Sequence, residues 1–122
     1  MVNQIPLIVD RRGTVLNLTL NNPSKKNALN SEMMGAAVAA IIEAEKYEEL
    51  RVIVIKGGGS AFCSGADVNS WEPEQLQLLL KTIAECSIPT IAEVHGVCLG
   101  GGMGLICACD FVLSKDGTFF GF

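Results

Sequence analysis

Residues 89–110 read PTIAEVHGVCLGGGMGLICACD, and this stretch decides the fold. Its first part, Thr90–Val94, predicts a strand, and Met103–Cys109 predicts a short apolar helix. The triplet Gly100-Gly101-Gly102 lies between them, where the backbone can approach a ligand closely and direct its N–H groups outward. A helix that begins directly after such a loop adds the positive end of its dipole to those N–H groups. The stretch therefore predicts a strand–loop–helix unit that can bind a negative charge.

A second glycine loop follows another strand earlier in the chain. Val52–Ile55 is wholly apolar and β-branched, as expected of a strand covered on both faces. Gly57-Gly58-Gly59 then opens a loop that continues through Ser64-Gly65-Ala66-Asp67. A pair of N–H groups brought together from two loops can stabilise a developing oxyanion, and removal of one such donor costs ~2.7–4 kcal/mol. The two loops therefore predict one shared backbone site.

The other segments complete an α/β pattern of order β, β, α, β, α, β, α, β. Hydrophobic periodicity and turn signals predict these segments. The first is a hairpin of strands Ile5–Val9 and Val15–Leu20 around a turn at Asp10–Gly13. It is followed by a helix from an N-cap at Asn30 or Ser31 to about Glu48, a helix from Pro73 to about Cys86, and a strand at Phe111–Leu113.

Composition favours a chain with more interior than surface. The chain has 122 residues, of which 49% are hydrophobic, and this length is typical of one domain. Only 18% are charged, below the usual quarter. Three aromatic rings lie within Thr118–Phe122, where a free end is normally polar. These features predict a truncated part of a larger protein, or a subunit that hides surface in an oligomer.

The charge pattern excludes a nucleic-acid-binding protein. The net charge is −4 with a pI near 4.9, and the lysine and arginine pairs at Lys25-Lys26 and Arg11-Arg12 are too short to form a basic stripe. Two lysines can still contact a phosphate-bearing small molecule. No apolar run reaches membrane-spanning length, and the start of the chain does not have the pattern of a secretory signal.

The cysteines do not predict a metal site. They are five in number, the spacing of Cys107 and Cys109 is too tight for a zinc motif, and His95 is the only histidine. Because they lie mostly in apolar runs, we interpret them as reduced core residues. This favours a cytoplasmic location, with an organelle matrix as the alternative.

Three rival glycine or serine motifs fail at named positions. A dinucleotide-binding fingerprint G-x-G-x-x-G that begins at Gly100 fails because its sixth position is Leu105. A P-loop fails because Gly-Lys-Ser/Thr follows neither glycine cluster. The nucleophile elbow of serine hydrolases fails around both Ser60 and Ser64.

Three blocks, in order, resemble the crotonase superfamily of enoyl-CoA hydratases and isomerases. Residues 22–30, NPSKKNALN, are similar to its N-R-P-x-x-x-N-A-L-N segment, with Asn22-Pro23 where Arg-Pro is common. Residues 56–68, KGGGSAFCSGADV, are similar to its G-x-G-x-x-F-(C/S)-x-G-x-D segment. Residues 89–110 resemble its segment with the glycine triplet and a following C-D. Together the blocks span most of the chain.

The resemblance implies an α/β fold, a crotonase-like spiral of ββα units. Residues 1–122 would form the N-terminal portion of a single domain whose C-terminal helical part is missing. It also implies an acyl-CoA substrate, with coenzyme A as part of that substrate and no permanently bound cofactor. The full-length form would be a homotrimer or a hexamer.

The resemblance also implies which residues form the site. The two oxyanion-hole N–H groups would belong to Ala66 and Gly101, while Ala28, Asp67 and Val68 would join them along the path of the CoA thioester. One glutamate of two-glutamate hydratases would fall at Gly104. The second would fall about two residues beyond Phe122.

The chain therefore shows neither proton-transferring glutamate of the family pattern. Since a positioned acid or base supplies about 10²–10⁴-fold in rate, the sequence predicts thioester polarisation without efficient hydration. It resembles the single-carboxylate members, such as isomerases and decarboxylase-like relatives. The remaining polar candidates are expected to be structural: Asp67 as a helix cap, Asp110 in a turn, Glu93 exposed, and His95 outside catalysis.

Two other hypotheses stay open at this point. One is a non-catalytic acyl-CoA-binding or oligomer-forming module. The other is a nucleotide-binding α/β domain. Binding of CoA without turnover would favour the first, and binding of ATP or NAD in place of CoA would favour the second.

Overall fold

The computed structural model describes residues 5–70 and 72–122. The strands and helices alternate as an α/β chain, in two sheets of order β1-β2-β3-β4-β6 and β5-β7. The elements are β1 (Leu7–Arg12), β2 (Val15–Leu20), a 3₁₀ turn (Pro23–Lys25), α1 (Ser31–Ala44), β3 (Val52–Gly57), α2 (Pro73–Ala84), β4 (Thr90–Val94), β5 (Val97–Leu99), α3 (Gly101–Ala108), β6 (Phe111–Ser114) and β7 (Phe119–Gly121).

The opening hairpin is confirmed, but its predicted turn is wrong. The structure keeps Asp10, Arg11 and Arg12 in β1, and the last of these pairs with Val15. Only two residues therefore form the turn, and Gly13 there has a φ of +62°, which favours glycine. Backbone pairing with β2 outweighs the low strand propensity of the polar run.

The strands β2, β3, β4 and β6 run parallel, and side chains alternate in burial along β2, β3 and β4. In β3, Ile53 and Ile55 are buried, whereas Val52 and Val54 are half-buried. The expectation that this strand is covered on both faces is therefore wrong. The sheet has one face buried against the core and one face that is partly exposed.

A second, shorter ladder runs beside the main sheet. Cys63 forms a parallel bridge with Cys98 in β5, and β5 in turn pairs in parallel with β7. Each of β3 and β4 is thus followed by a short extended segment and then by a helix. This is the repeated ββα arrangement that the resemblance implied. Strand β5 was not predicted from the sequence, because Gly96 and Gly100 bracket it and suggest a loop.

Helix α1 begins where its capping signal predicted. The Asn30 side chain accepts a hydrogen bond from the N–H of Met33 at 2.8 Å. The helix ends at Ala44, before the predicted Glu48, and the chain continues through a turn in which the N–H of Lys46 donates to Glu43. Its core-facing residues are Met33, Met34, Ala37, Ile41 and Ala44.

Removal of this cap gives the first prediction. Asn30→Ala is expected to lower the free energy of unfolding by ~1 kcal/mol, because an N–H in the first turn loses its acceptor. Ser31→Ala is the matched control, since Ser31 is exposed and the side chain of Asn30 holds the cap. Urea denaturation of both variants measures the difference. Equal losses in the two variants would contradict the assigned cap.

The core is one cluster that connects the inner sheet face with all three helices. Phe62 and Leu29 belong to its most buried side chains, at 0% and 1% exposure. By contrast, β6 is exposed along its length, with Phe111 and Leu113 above 60%. No helix within residues 5–70 and 72–122 is long and apolar enough to cross a membrane.

Candidate functional site

The loop after β3 is folded tightly against the end of its own strand. A Cβ on Gly57 would lie 2.5–2.7 Å from backbone atoms of Ala61 and Phe62, so the position requires glycine. The N–H of Phe62 is shared between the carbonyls of His95 and Val97, at 3.0 and 3.1 Å. The loop is therefore anchored to the segment that joins β4 to β5.

A two-bond bridge fixes the backbone on both sides of Ala66. The N–H of Leu29 donates to the carbonyl of Gly65 at 2.7 Å, and the N–H of Asp67 donates to the carbonyl of Leu29 at 2.8 Å. In extended backbone, the groups flanking a residue point to one side and its own N–H and C=O to the other. The N–H of Ala66 consequently points away from Leu29.

The two glycine loops meet at this point. Gly65 has a φ of +106°, and a Cβ there would lie 3.3 Å from the carbonyl oxygen of Leu99 and 3.8 Å from the nitrogen of Gly101. A Cβ on Gly101 would in turn lie 3.7 Å from the nitrogen of Ala66. The structure therefore brings Ala66 and Gly101 together, as the sequence analysis expected.

Helix α3 begins two residues earlier than the predicted Met103. A Cβ on Gly102 would lie 3.0–3.2 Å from atoms of Cys63, so the close contact between the first turn and the core favours glycine. Gly101 is the first helical residue, and its N–H has no acceptor within the helix. The poor helix propensity of glycine concealed this start.

The two N–H groups are unpaired donors in an apolar setting. Within the described residues, neither the N–H of Ala66 nor that of Gly101 donates a hydrogen bond. The side chains nearest to a Cβ built on Gly101 are those of Leu29 and Leu76, at 3.1 and 3.4 Å. Backbone donors at a helix start are suited to an anionic oxygen, and an apolar surrounding strengthens that interaction.

The other residues implied by the resemblance lie at different depths. Ala28 is 9% exposed and directly precedes the bridge, whereas Val68 is 92% exposed. Asp67 does not cap α2, so that expectation is wrong. Its carboxylate instead accepts from the N–H of Asn69 at 2.9 Å and lies 3.7 Å from the ammonium of Lys25. The local turn captures the side chain before the helix begins.

Position 104 is filled by a neighbour and not by open space. A Cβ on Gly104 would lie 3.2 and 3.4 Å from the two methyl groups of Leu80 in α2. The close approach of α2 and α3 thus uses the volume that a longer side chain would need. Leu76 and Leu80, which line this contact, were not singled out from the sequence, although their i, i+4 spacing on α2 places them on one face.

Two of the remaining polar candidates, His95 and Asp110, make contacts with the backbone. His95 Nε2 lies 2.7 Å from the carbonyl oxygen of Gly59. The carboxylate of Asp110 accepts from the N–H of Thr90 at 2.9 Å and so closes the turn before β6. Glu93 is exposed. Residues 5–70 and 72–122 contain no cluster of three or more potential metal-ligating side chains.

The cysteines are free thiols, and the innermost two are unreactive. Burial raises the pKa of Cys63 to about 12 and that of Cys98 to about 11, so both are protonated at neutral pH. Neither therefore supplies a thiolate nucleophile. The expectation that the cysteines are core residues is wrong for Cys107, which is exposed near the end of α3.

Comparison with known proteins decides the family. The family model described as enoyl-CoA hydratase/isomerase matches residues 10–122. The chain belongs to this family. It is 32% identical to the probable enoyl-CoA hydratase EchA14 of Mycobacterium tuberculosis, with 98% of this chain and 51% of that protein covered. It is 33% identical to the peroxisomal Delta(3,5)-Delta(2,4)-dienoyl-CoA isomerase of Arabidopsis thaliana, over 88% of this chain and 46% of that protein.

Solved structures of the family confirm the crotonase-type α/β fold. An enoyl-CoA hydratase from Mycobacterium avium subsp. paratuberculosis matches with a TM-score of 0.88 and 29% identity, over 98% of this chain and 51% of that one. The chain spans about half the length of the relatives it matches. Because both hydratases and isomerases are among these relatives, the comparisons give the family and leave the reaction subtype to the residues of the site.

Proposed function

We propose that the protein binds an acyl-CoA and stabilises the enolate of its thioester through the N–H groups of Ala66 and Gly101. The observation that carries this proposal is a pair of adjacent N–H groups that have no acceptor among residues 5–70 and 72–122. The N–H of Asp67 and the carbonyl of Gly65, on either side of Ala66, are both hydrogen-bonded to Leu29. An unpaired, preorganised donor pair is what a developing oxyanion requires. Ala28, Asp67 and Val68 would line the path of the CoA thioester.

The chemistry follows from where charge develops. A base removes a proton from the carbon next to the thioester carbonyl. The electron pair of that C–H bond forms a C=C double bond, and the π electrons of the C=O bond move onto the carbonyl oxygen. The oxygen becomes more negative, so two hydrogen bonds to it are stronger in the transition state than in the ground state. We place the glutamate that transfers this proton beyond Phe122, where the resemblance implies it.

The contact of Leu80 with position 104 favours single-carboxylate chemistry over two-glutamate hydration. Gly104 bears no proton-transferring group, and Leu80 occupies the adjacent volume. An isomerase moves one proton between two carbons and needs one group for both steps, whereas hydration also requires a water to be activated. We therefore propose an enoyl-CoA isomerase-type reaction, with hydratase and decarboxylase as the alternatives within the family.

Activity of the protein expressed from its complete gene tests this proposal. A 3-enoyl-CoA is expected to isomerise faster than crotonyl-CoA is hydrated. Removal of the downstream carboxylate is expected to abolish isomerisation and to leave CoA-ester binding intact. Rapid hydration of crotonyl-CoA by the variant that lacks the downstream carboxylate would contradict the single-carboxylate proposal. Binding without turnover on any enoyl-CoA would favour the non-catalytic module.

The contact of Gly104 with Leu80 gives a second prediction. Gly104→Glu is expected to be destabilising by about 1–3 kcal/mol from overpacking, and less so in a Leu80→Ala background. Leu78→Ala is the matched control, because Leu78 lies on the same helix and is half-exposed. A double-mutant cycle from urea denaturation gives the two coupling free energies. Equal coupling free energies of position 104 with Leu80 and with Leu78 would contradict the contact between Leu80 and position 104.

Assembly and location are further parts of this proposal. We propose a homotrimer or hexamer for the full-length protein, and the exposed apolar side chains of Phe111, Leu113 and Phe119 support contacts beyond this part of the fold. We also propose a cytoplasmic location, with an organelle matrix as the alternative. Light scattering and imaging of the tagged full-length protein test the two statements separately.

A further inference from the structure

Asn27 is a fully buried polar residue whose side-chain oxygen and nitrogen both form hydrogen bonds with the backbone. It has 0% exposure and a φ of +58°, a left-handed conformation that asparagine tolerates better than most residues. Its Oδ1 accepts from the N–H of Asn22 at 2.8 Å, and its Nδ2 donates to the carbonyls of Gly58 and Ala61, both at 2.9 Å. One side chain thus joins two backbone segments that are distant in sequence.

Those two segments are the ones that hold the donor at Ala66. The segment after Asn27 contains Leu29, whose bridge fixes both sides of Ala66. The segment that Asn27 ties down runs on to Ser64, whose N–H donates to Lys26 at 2.9 Å. The hydrogen bonds of Asn27 are therefore connected, through the backbone contacts of Leu29 and Ser64, to the proposed oxyanion donor at Ala66.

We propose that Asn27 is a positioning residue for catalysis, which sets the direction of the Ala66 N–H through the loop of residues 57–66. This inference rests on the proposed function. Loss of its amide would leave the buried carbonyl of Ala61 and the partly buried carbonyl of Gly58 without a donor, so the loop would shift to find one. A displacement of about 1 Å at a reacting group can cost about 10²-fold in rate.

The decisive variant is Asn27→Asp in the protein expressed from its complete gene. Aspartate has nearly the same shape and keeps the acceptor for Asn22, but it replaces the donor to Gly58 and Ala61 by a carboxylate oxygen. Thr90→Val is the matched control for a buried polar loss. Thr90 is also 0% exposed and exchanges hydrogen bonds with Asp110, at the opposite end of β4 from the loops.

Three measurements separate positioning from folding: urea denaturation, steady-state kinetics, and the absorption shift of a bound aryl-enoyl thioester of CoA. That shift reports polarisation of the thioester carbonyl and not overall stability. Asn27→Asp is expected to lower kcat by about 10–100-fold, with little change in KM, and to reduce the shift. Thr90→Val is expected to lose stability and to keep the wild-type shift.

Each outcome has a defined meaning. If Asn27→Asp binds with the wild-type shift and kcat, the positioning role is overturned while the proposed function stands. If the wild-type protein itself shows no shift on binding, the proposed oxyanion donors fail, and the inference fails with them. If Asn27→Asp does not fold, Asn27→Gly serves in its place, because glycine accepts the left-handed backbone and lacks the side chain. An unchanged shift in that variant would also overturn the inference.

Discussion

Gly101→Pro is expected to lower kcat by about 10²–10³-fold, the cost of one lost oxyanion donor. Proline replaces the N–H hydrogen of residue 101 by a ring carbon and keeps the N–H of Ala66. The first position of a helix tolerates proline well, because its N–H has no partner within the helix and its φ is already suitable. The substitution therefore deletes one hydrogen-bond donor with little damage to α3.

Gly101→Ala provides the control for the added side-chain atoms. Both variants place a Cβ near the flexible ends of Leu29 and Leu76, but alanine keeps the N–H. Circular dichroism and thermal unfolding are expected to show similar folding for the two, and kinetics on an enoyl-CoA to separate them. Equal kcat for Gly101→Pro and Gly101→Ala would contradict the assignment of this N–H as an oxyanion donor.

Phe62→Ala is expected to lower the free energy of unfolding by about 3–5 kcal/mol, the cost of a large cavity in a packed core. The Phe62 ring has 0% exposure and lies under the loop that supplies Ala66. Its backbone N–H bonds to His95 and Val97 survive the change, so the loss isolates the ring. Since domains are stable by only about 5–15 kcal/mol, this substitution removes a large share of the total.

Phe111→Ala is the matched control for this cavity. Phe111 is 63% exposed on β6, and its truncation is expected to change the free energy of unfolding by no more than about 0.5 kcal/mol. Urea denaturation with both variants measures the two losses on one scale. A Phe62→Ala loss as small as that of Phe111→Ala would mean that the loop is not anchored by its ring.

The fold was largely predictable because its strongest signals are local. The β-branched run at β3, the cap at Asn30 and the proline at the start of α2 each act within a few residues. Two of the errors have tertiary causes. Pairing with β2 extends β1 through a polar run, and contact with β7 makes a strand of Val97–Leu99, neither of which a local pattern can show.

The donor pair was predictable, whereas its surroundings were not. Glycine at residues 65 and 101 marks where backbones must approach, and the resemblance identifies the two N–H groups. The apolar wall of Leu76 and Leu80 depends on how α2 lies against α3, which periodicity leaves open. Two of the three hydrogen bonds of Asn27 reach carbonyls 31 and 34 residues further along the chain, so sequence alone could not place them.

The bridge at Leu29 has a consequence for the exchange of amide hydrogens with solvent water. The N–H groups of Leu29 and Asp67 are held in hydrogen bonds and exchange only when the structure opens. Those of Ala66 and Gly101 have no such requirement, although their backbones are held just as firmly. In the free protein, the amide hydrogens of Ala66 and Gly101 are therefore expected to exchange rapidly, while those of Leu29 and Asp67 exchange slowly. A bound thioester carbonyl is expected to slow exchange at Ala66 and Gly101 more than at other amides.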